Sequence, residues 1–285
     1  MPVNIAINGY GRIGRNVLRA LYEGQQRTEL KIVAINDLGD AGTNAHLTRY
    51  DSAHGPFPYE IQVKDDQLVV DGDLVHVCAE RDPSKLPWAE MDVDVVMECT
   101  GLFNSKEKAS AHLNAGASKV IISAPAGTTV DATIVYGVNQ DDLDIDNDFL
   151  IASSICDANA VAPVLNILNN KFGIEHGFLT TLHPWLSYQN LVDGPSRSFA
   201  YPGTIIDNFT LGRASINSLI PKTTSAIRAS TKVLDFLNNK FQSLSFRVPT
   251  SIVSTADISV KLTNKISKSD IINIVQACPI IPNMR

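Results

Sequence analysis

Gly9, Gly11 and Gly14 follow an apolar run from Val3 to Asn8 at the spacing G-x-G-x-x-G, and a helical pattern follows them with Ile13, Val17, Leu18 and Leu21 as its apolar face. Each glycine answers a separate steric demand. The first permits a tight turn, the second lets the backbone approach a pyrophosphate, and the third lets helix and strand pack closely. Free N–H groups at the helix start, aligned with the helix dipole, then face an anion. A second apolar run, Leu30 to Asn36, ends at Asp37, 23 residues past Gly14. A dinucleotide-binding fold places an acid there for the ribose hydroxyls. A carboxylate would repel a 2′-phosphate, so the expected cofactor is NAD rather than NADP. A capping or turn aspartate is the alternative for Asp37.

The first half of the chain alternates strand and helix patterns, which implies a parallel sheet covered on both faces. Thr43 to Tyr50 reads as a short helix, and Asp71-Gly72 marks a hairpin between short strands. Val93 to Cys99, Lys119 to Ala124 and Thr133 to Val138 read as further strands, with a Ser105-capped helix before Gly116. After about residue 150 the pattern changes to a helix from Asp157 to Phe172. Strand-like runs follow at Gly177 to His183, Ser243 to Arg247 and Ser251 to Leu262, with helical patterns from Thr224 to Asn238 and from Ser269 to Val275. The stretch Asp193 to Ser218 lacks periodicity and carries Gly194, Pro195, Pro202 and Gly203, as functional loops do. The fold expected is α/β: a doubly wound parallel sheet of the Rossmann type over residues 1–153, then an α+β catalytic domain over 154–285.

With 285 residues, 44% of them hydrophobic, the chain has material for two cores. Its net charge of -6 argues against a general nucleic-acid or membrane-surface binder. No signal peptide or membrane-spanning run is read, so a cytoplasmic protein is expected. Cys78, Cys99, Cys156 and Cys278 fit neither a metal pattern nor a disulfide framework. No metal is expected. For three of them the reading is a small buried hydrophobe.

Cys156 differs. It follows the apolar run Phe149 to Ala152 and opens a helix, where partly positive N–H groups favour thiolate. Downstream, Phe178 to Leu182 delivers His183 at a strand end. A cysteine and a histidine brought together make an activated nucleophile. An unrelated pair is the alternative that spacing alone leaves open.

These residues carry a resemblance to the phosphorylating glyceraldehyde-3-phosphate dehydrogenase family, including its erythrose-4-phosphate dehydrogenase branch. It runs through Asn8 to Arg15, Asn36-Asp37-Leu38, Tyr50 to Gly55, Glu80 to Pro83, Glu98 to Gly101, Lys119 to Pro125 and Tyr136 to Asn139. In the second half it is carried by Cys156 with Asn159, Thr180 to His183, Asp193 to Ser196, Ile220-Pro221 and Phe246 to Thr250.

The resemblance implies that Cys156 attacks the aldehyde of a small sugar phosphate with His183 as base, that NAD takes the hydride, and that inorganic phosphate releases an acyl phosphate. It implies Arg12 and Ile13 at the pyrophosphate, Asp37 at the ribose, Arg81 near the adenine, and Thr100, Gly101 and Ser123 along the cofactor. Thr224 and Arg247 match phosphate-holding positions. A homotetramer and a place in glycolysis are implied in the same way.

The departures cluster in the second half. Ile155 and Asp157 flank the cysteine where the family has serine and threonine, and Leu186 stands near a family threonine. Asp157 suits a helix start but raises the pKa of a neighbouring thiol. Ser225 replaces a common glycine, and Thr210 stands where a loop arginine is usual. The family continues past Ile271 to Gln276 with further strands and a last helix, so the chain is expected to read as shortened and to leave a sheet edge unpaired. The alternative function is a catalytically impaired NAD-binding homologue with an interaction or regulatory role.

Overall fold

The computed structural model describes residues 1–24, 26–127, 129–198 and 204–277; Cys278, Pro202 and Gly203 lie outside them. The chain divides into two units, Met1–Ile134 with Asp141–Ser154, and Val135–Gln140 with Ile155–Arg285.

In the first unit, β1 (Val3–Asn8), α1 (Arg12–Glu23), β2 (Leu30–Asn36), α2 (Ala41–Arg49), β3 (Tyr50–Asp51), β4 (Gly55–Pro56), β5 (Ile61–Lys64), β6 (Gln67–Val70) and β7 (Asp73–Cys78) come first. Then follow β8 (Val95–Glu98), α3 (Lys106–Asn114), β9 (Lys119–Ile122), β10 (Ala132–Thr133) and β11 (Leu150–Ala152). The sheet order is β10-β11-β9-β8-β1-β2-β7-β6-β5. Strands β1, β2, β7, β8, β9, β10 and β11 pair in parallel, and β5 and β6 extend one edge antiparallel. The chain steps from β1 to β2 on one side and returns through β8 on the other. That reversal is the switch point at whose strand ends ligands bind in open α/β sheets.

The end of this sheet is held by a buried polar row. Asn36, Asn8 and Glu98 are the last residues of β2, β1 and β8, and they lie side by side in register. Asn36 Nδ2 donates to Asn8 Oδ1 at 2.7 Å, and Asn8 Nδ2 donates to Glu98 Oε2. Trp88 Nε1–H, which can only donate, reaches His112 Nδ1 at 3.0 Å. His112 therefore carries its proton on Nε2 and donates it to Glu98 Oε2 at 3.1 Å. Glu98 Oε1 accepts from the Thr100 N–H at 2.8 Å and from the Thr100 hydroxyl. Glu98 and His112 have no exposed surface. Such groups persist inside only when their bonds are complete.

In the second unit, α4 (Cys156–Phe172) precedes β12 (Ile174–Pro184), β13 (Ile220–Lys222), α5 (Ala226–Ser230), β14 (Phe241–Val248), β15 (Thr255–Leu262) and α6 (Lys268–Ala277). Its sheet order is β13-β14-β12-β15, with β12 and β14 parallel. Val161, Leu165 and Leu168 of α4 pack with Ile174, Leu179, Ile227 and Leu237 as its core. Among the described residues β15 is an edge strand.

Three expectations change. On α1, Leu18 is buried and Val17 and Leu21 pack against the core as expected, but Ile13 is half exposed, and Gly14 and Tyr22 are buried with Leu18. The strand expected from Thr133 to Val138 is only the end of β10, because Asn139 Oδ1 draws the Val135 N–H into a turn. The helix expected from Thr224 to Asn238 is the short α5 and a 3-10 turn at Asp235–Leu237.

Replacing Glu98 by leucine would strand the His112 Nε2–H and the Asn8 amide in the interior. We expect a loss of about 3–5 kcal/mol, the usual cost of removing one partner of a buried pair. Urea unfolding of the purified variant followed by Trp88 fluorescence checks it.

Candidate active site

In the first unit the glycine turn meets its steric demands. A Cβ on Gly9 (φ +87°) would lie 2.7 Å from the Thr100 nitrogen, and one on Gly14 would strike the Gly9 carbonyl oxygen. Gly11 faces open space, as does Gly101 at φ +71°. This combination of crowding behind and room in front is what close approach of a pyrophosphate requires. Asp37 accepts the Tyr10 N–H at 2.9 Å and the Gly39 N–H at 2.9 Å, which fixes its carboxylate beside the turn. Arg12 is paired with Asp51 at 3.2 Å. Asn36 grips the backbone of Glu80 at both its N–H and its C=O, which sets the position of the exposed Arg81. Ser123 bonds the Glu98 carbonyl through N–H and hydroxyl. The structure therefore gathers Gly9, Gly11, Gly14, Asp37, Thr100 and Gly101 at the strand ends beside the switch point. These residues fit a dinucleotide.

In the second unit Ile155 precedes α4, and its side chain makes no cap. Cys156 and Asp157 are the first two helical residues, and Asp157 is buried. Asp157 Oδ2 lies 2.7 Å from His183 Nε2, and Asp157 Oδ1 lies 3.9 Å from Cys156 Sγ. The other imidazole nitrogen, Nδ1, is 3.0 Å from Ser254 Oγ. The sulfur, carboxylate oxygen and imidazole nitrogen all lie within 4.8 Å of one another. The sequence reading brought Cys156 and His183 together, but it did not place the carboxylate of Asp157 in contact with both. The same three side chains form a donor set of the kind zinc accepts.

Two influences compete at the Cys156 thiol. Helix N–H groups favour thiolate, yet the thiol pKa is raised, first by desolvation around the sulfur and next by the Asp157 charge, although the residue as a whole is exposed. Backbone N–H groups and Arg247 pull it down by less.

A cavity of about 1180 Å³ opens in this unit, lined by Lys222, Thr224, Arg228 and Arg247 among others. In register, Arg247 sits beside His183 on β12 and beside Ile220 on β13. Arg247 is 7% exposed, donates Nη1 to the Pro184 carbonyl, and leaves Nε buried without a partner. None of these three cations is ion-paired among the described residues, and burial lowers the pKa of Lys222, with Arg247 adding to it. An uncompensated cluster of this kind matches an anionic ligand. The sequence reading named Thr224 and Arg247 but missed Lys222 and Arg228. Two of these positions fall on strands β13 and β14, and only their register reveals that they converge.

A glycine-turn α/β unit with an acid at the end of β2, in a chain that also holds a cysteine–histidine unit, fits the class of dinucleotide-dependent dehydrogenases. The family model described as "Glyceraldehyde 3-phosphate dehydrogenase, NAD binding domain" matches residues 3–106, and that described as "Glyceraldehyde 3-phosphate dehydrogenase, C-terminal domain" matches residues 155–281. The chain belongs to the glyceraldehyde-3-phosphate dehydrogenase family, and its cofactor is NAD. It is 48% identical over 277 residues to the plasmid-borne glyceraldehyde-3-phosphate dehydrogenase of Cupriavidus necator, and 47% identical over 277 residues to the chromosomal one; each match covers 97% of this chain and 79% of the relative. The glyceraldehyde-3-phosphate dehydrogenase of Pseudomonas aeruginosa is 46% identical over 271 residues, covering 95% of this chain and 78% of its own. Among the described residues no helix is long and apolar enough to cross a membrane.

Asp157→Asn removes the charge that ranks second among the causes of the raised thiol pKa. The midpoint of iodoacetamide alkylation of Cys156 against pH is expected to fall toward the ordinary thiol value and to stay above it, since desolvation persists. An unmoved midpoint would rule out the carboxylate as a cause.

Proposed function

We propose that the chain oxidises glyceraldehyde 3-phosphate, with erythrose 4-phosphate as the second candidate substrate. The observation that carries this is the contact of Cys156, Asp157 and His183 in the unit whose cavity is lined by three cations that form no ion pair among the described residues. NAD, when bound at Gly9, Gly11, Arg12, Ile13, Gly14, Asp37, Arg81, Thr100, Gly101 and Ser123, supplies a hydride acceptor.

Cys156 Sγ attacks the aldehyde carbon and forms a thiohemiacetal. The thiol proton passes to the Asp157–His183 pair, whose 2.7 Å contact keeps the imidazole oriented. Loss of hydride leaves a thioester on Cys156. Inorganic phosphate then releases an acyl phosphate, as the family resemblance implies. Arg247 and Thr224 hold the substrate phosphate, with Lys222 and Arg228 adding charge. Planar guanidinium donors suit a phosphate dianion.

We also propose a homo-oligomer, a tetramer by resemblance. Leu191, Val192, Ile205, Phe209 and Leu219 are exposed along the irregular segment after Gln189, a density of apolar surface that marks an interface.

NADH formation with glyceraldehyde 3-phosphate tests the proposal, and turnover that survives in Cys156→Ala would overturn it. Arg247→Ala is expected to raise KM for the phosphorylated aldehyde by about tenfold or more, the weight of a lost charge-assisted bond. KM for glyceraldehyde lacking the phosphate should hardly change.

A further inference from the structure

We propose that Lys222 is a covalent capture site for phosphorylated aldehydes, which it takes up reversibly as imines. This rests on the reading of the cationic cavity as the place of a substrate phosphate, and not on the oxidation itself.

Sheet register puts the amine there. Lys222 on β13 pairs with Ser245 on β14, and Ile220 pairs with Arg247. Lys222 and Arg247 are therefore diagonal neighbours on one face of an antiparallel pair, about 7–8 Å apart along the backbone. Both line the cavity that also takes in Thr224 and Arg228. A phosphate held by Arg247 and Thr224 leaves a short sugar chain to run along that face, and its aldehyde carbon comes within reach of Lys222 Nζ.

The chemistry of the amine fits the task. Lys222 is half-buried, and among the described residues its Nζ is neither ion-paired nor hydrogen-bonded. The charges around it are of both signs. Burial and then Arg247 disfavour the ammonium form, and the Asp157 and Cys156 charges, which favour it, do not outweigh them. A lysine desolvated next to another cation is a lysine able to attack a carbonyl. Arginine cannot lose its proton in this way. The two guanidinium groups of the cavity can therefore only hold an anion, whereas Lys222 can also bond the carbon of the molecule that carries it.

The step balances. The Nζ lone pair forms a bond to the aldehyde carbon, and a proton passes from nitrogen to the former carbonyl oxygen. The carbinolamine then loses that oxygen as water and leaves a C=N bond. Water returning to the same carbon reverses both steps, and nothing is oxidised or reduced. While the imine lasts, its carbon is closed to Cys156 and the cavity is closed to a second sugar phosphate.

The test needs neither NAD nor the thiol. The full chain is incubated with glyceraldehyde 3-phosphate and sodium cyanoborohydride, a hydride donor that reduces imines to secondary amines, and the modified lysines are mapped by mass spectrometry. Lys222 is expected to be labelled about tenfold or more faster than the exposed Lys64 and Lys268. Excess inorganic phosphate should slow labelling at Lys222 and leave the other two unchanged, and glyceraldehyde lacking the phosphate should show no preference for Lys222. Labelling of Lys222 no faster than that of the exposed lysines overturns the proposal. So does labelling that inorganic phosphate fails to slow, or a preference that the unphosphorylated aldehyde keeps. A chain that forms NADH without preference at Lys222 fails only this proposal, and a chain labelled at Lys222 that forms no NADH fails only the oxidation.

Discussion

A carboxylate sealed from solvent holds the cofactor end of the first unit together. Glu98 terminates β8, and its acceptor sites are taken by the strand-final Asn8, by His112 and by Thr100. Because β1, β2 and β8 end on one register line, this chain of bonds ties their three exits to each other. From those exits leave the glycine turn, the Asp37 turn and the Thr100-Gly101 turn. The price of a buried charge is high, and it is met here by complete hydrogen bonding. What results is a rigid rim, in which Gly9 backs onto Thr100 with no space for a methyl group.

The second unit contains a carboxylate–histidine pair of a different kind. Asp157 is buried but His183 is only half-buried, where Glu98 and His112 have no exposed surface, and Asp157 also touches a thiol and lies near an open cationic cavity. The Glu98 pair is surrounded by donors with fixed jobs and so has only a structural role. Asp157 has one oxygen fixed and one facing a reactive sulfur. The same chemical pairing therefore stiffens one unit and, in the oxidation proposed above, takes up a proton in the other, and what separates them is whether the surrounding donors saturate the carboxylate.

Where spacing encoded geometry, the sequence was readable. The glycine pattern, Asp37 and the strand-to-helix turn before Cys156 all follow from local steric demands that only certain residues meet. Readability failed where contacts are non-local. The apolar appearance of Ile13 suggested a buried position, but α1 turns Gly14 inward to reach the Gly9 carbonyl, and that rotation exposes Ile13. The helical pattern after Thr224 was broken because Leu234 and Leu237 turn into the core over α4. The sequence reading left Lys222 and Arg228 unnamed, because what brings Lys222 near Arg247 is sheet register, with Lys222 opposite Ser245, two residues before Arg247. The Asp157–His183 contact spans 26 residues of chain, and no periodicity reports it.

Charge distribution then separates this site from a generic thiol dehydrogenase site. Desolvation and Asp157 both hold the proton on Cys156, so the resting thiol is a weaker nucleophile than a helix start alone would make it. In the oxidation proposed above the same carboxylate, paired with His183, takes that proton once an aldehyde is in place, because its Oδ1 is the acceptor facing the sulfur. Suppressed reactivity at rest and assisted reactivity with substrate are thus two effects of one position. A threonine there would remove the suppression and the assistance together. Asp157 therefore weighs on the Cys156 thiol twice, by its charge and by the contact of its Oδ1 with the sulfur.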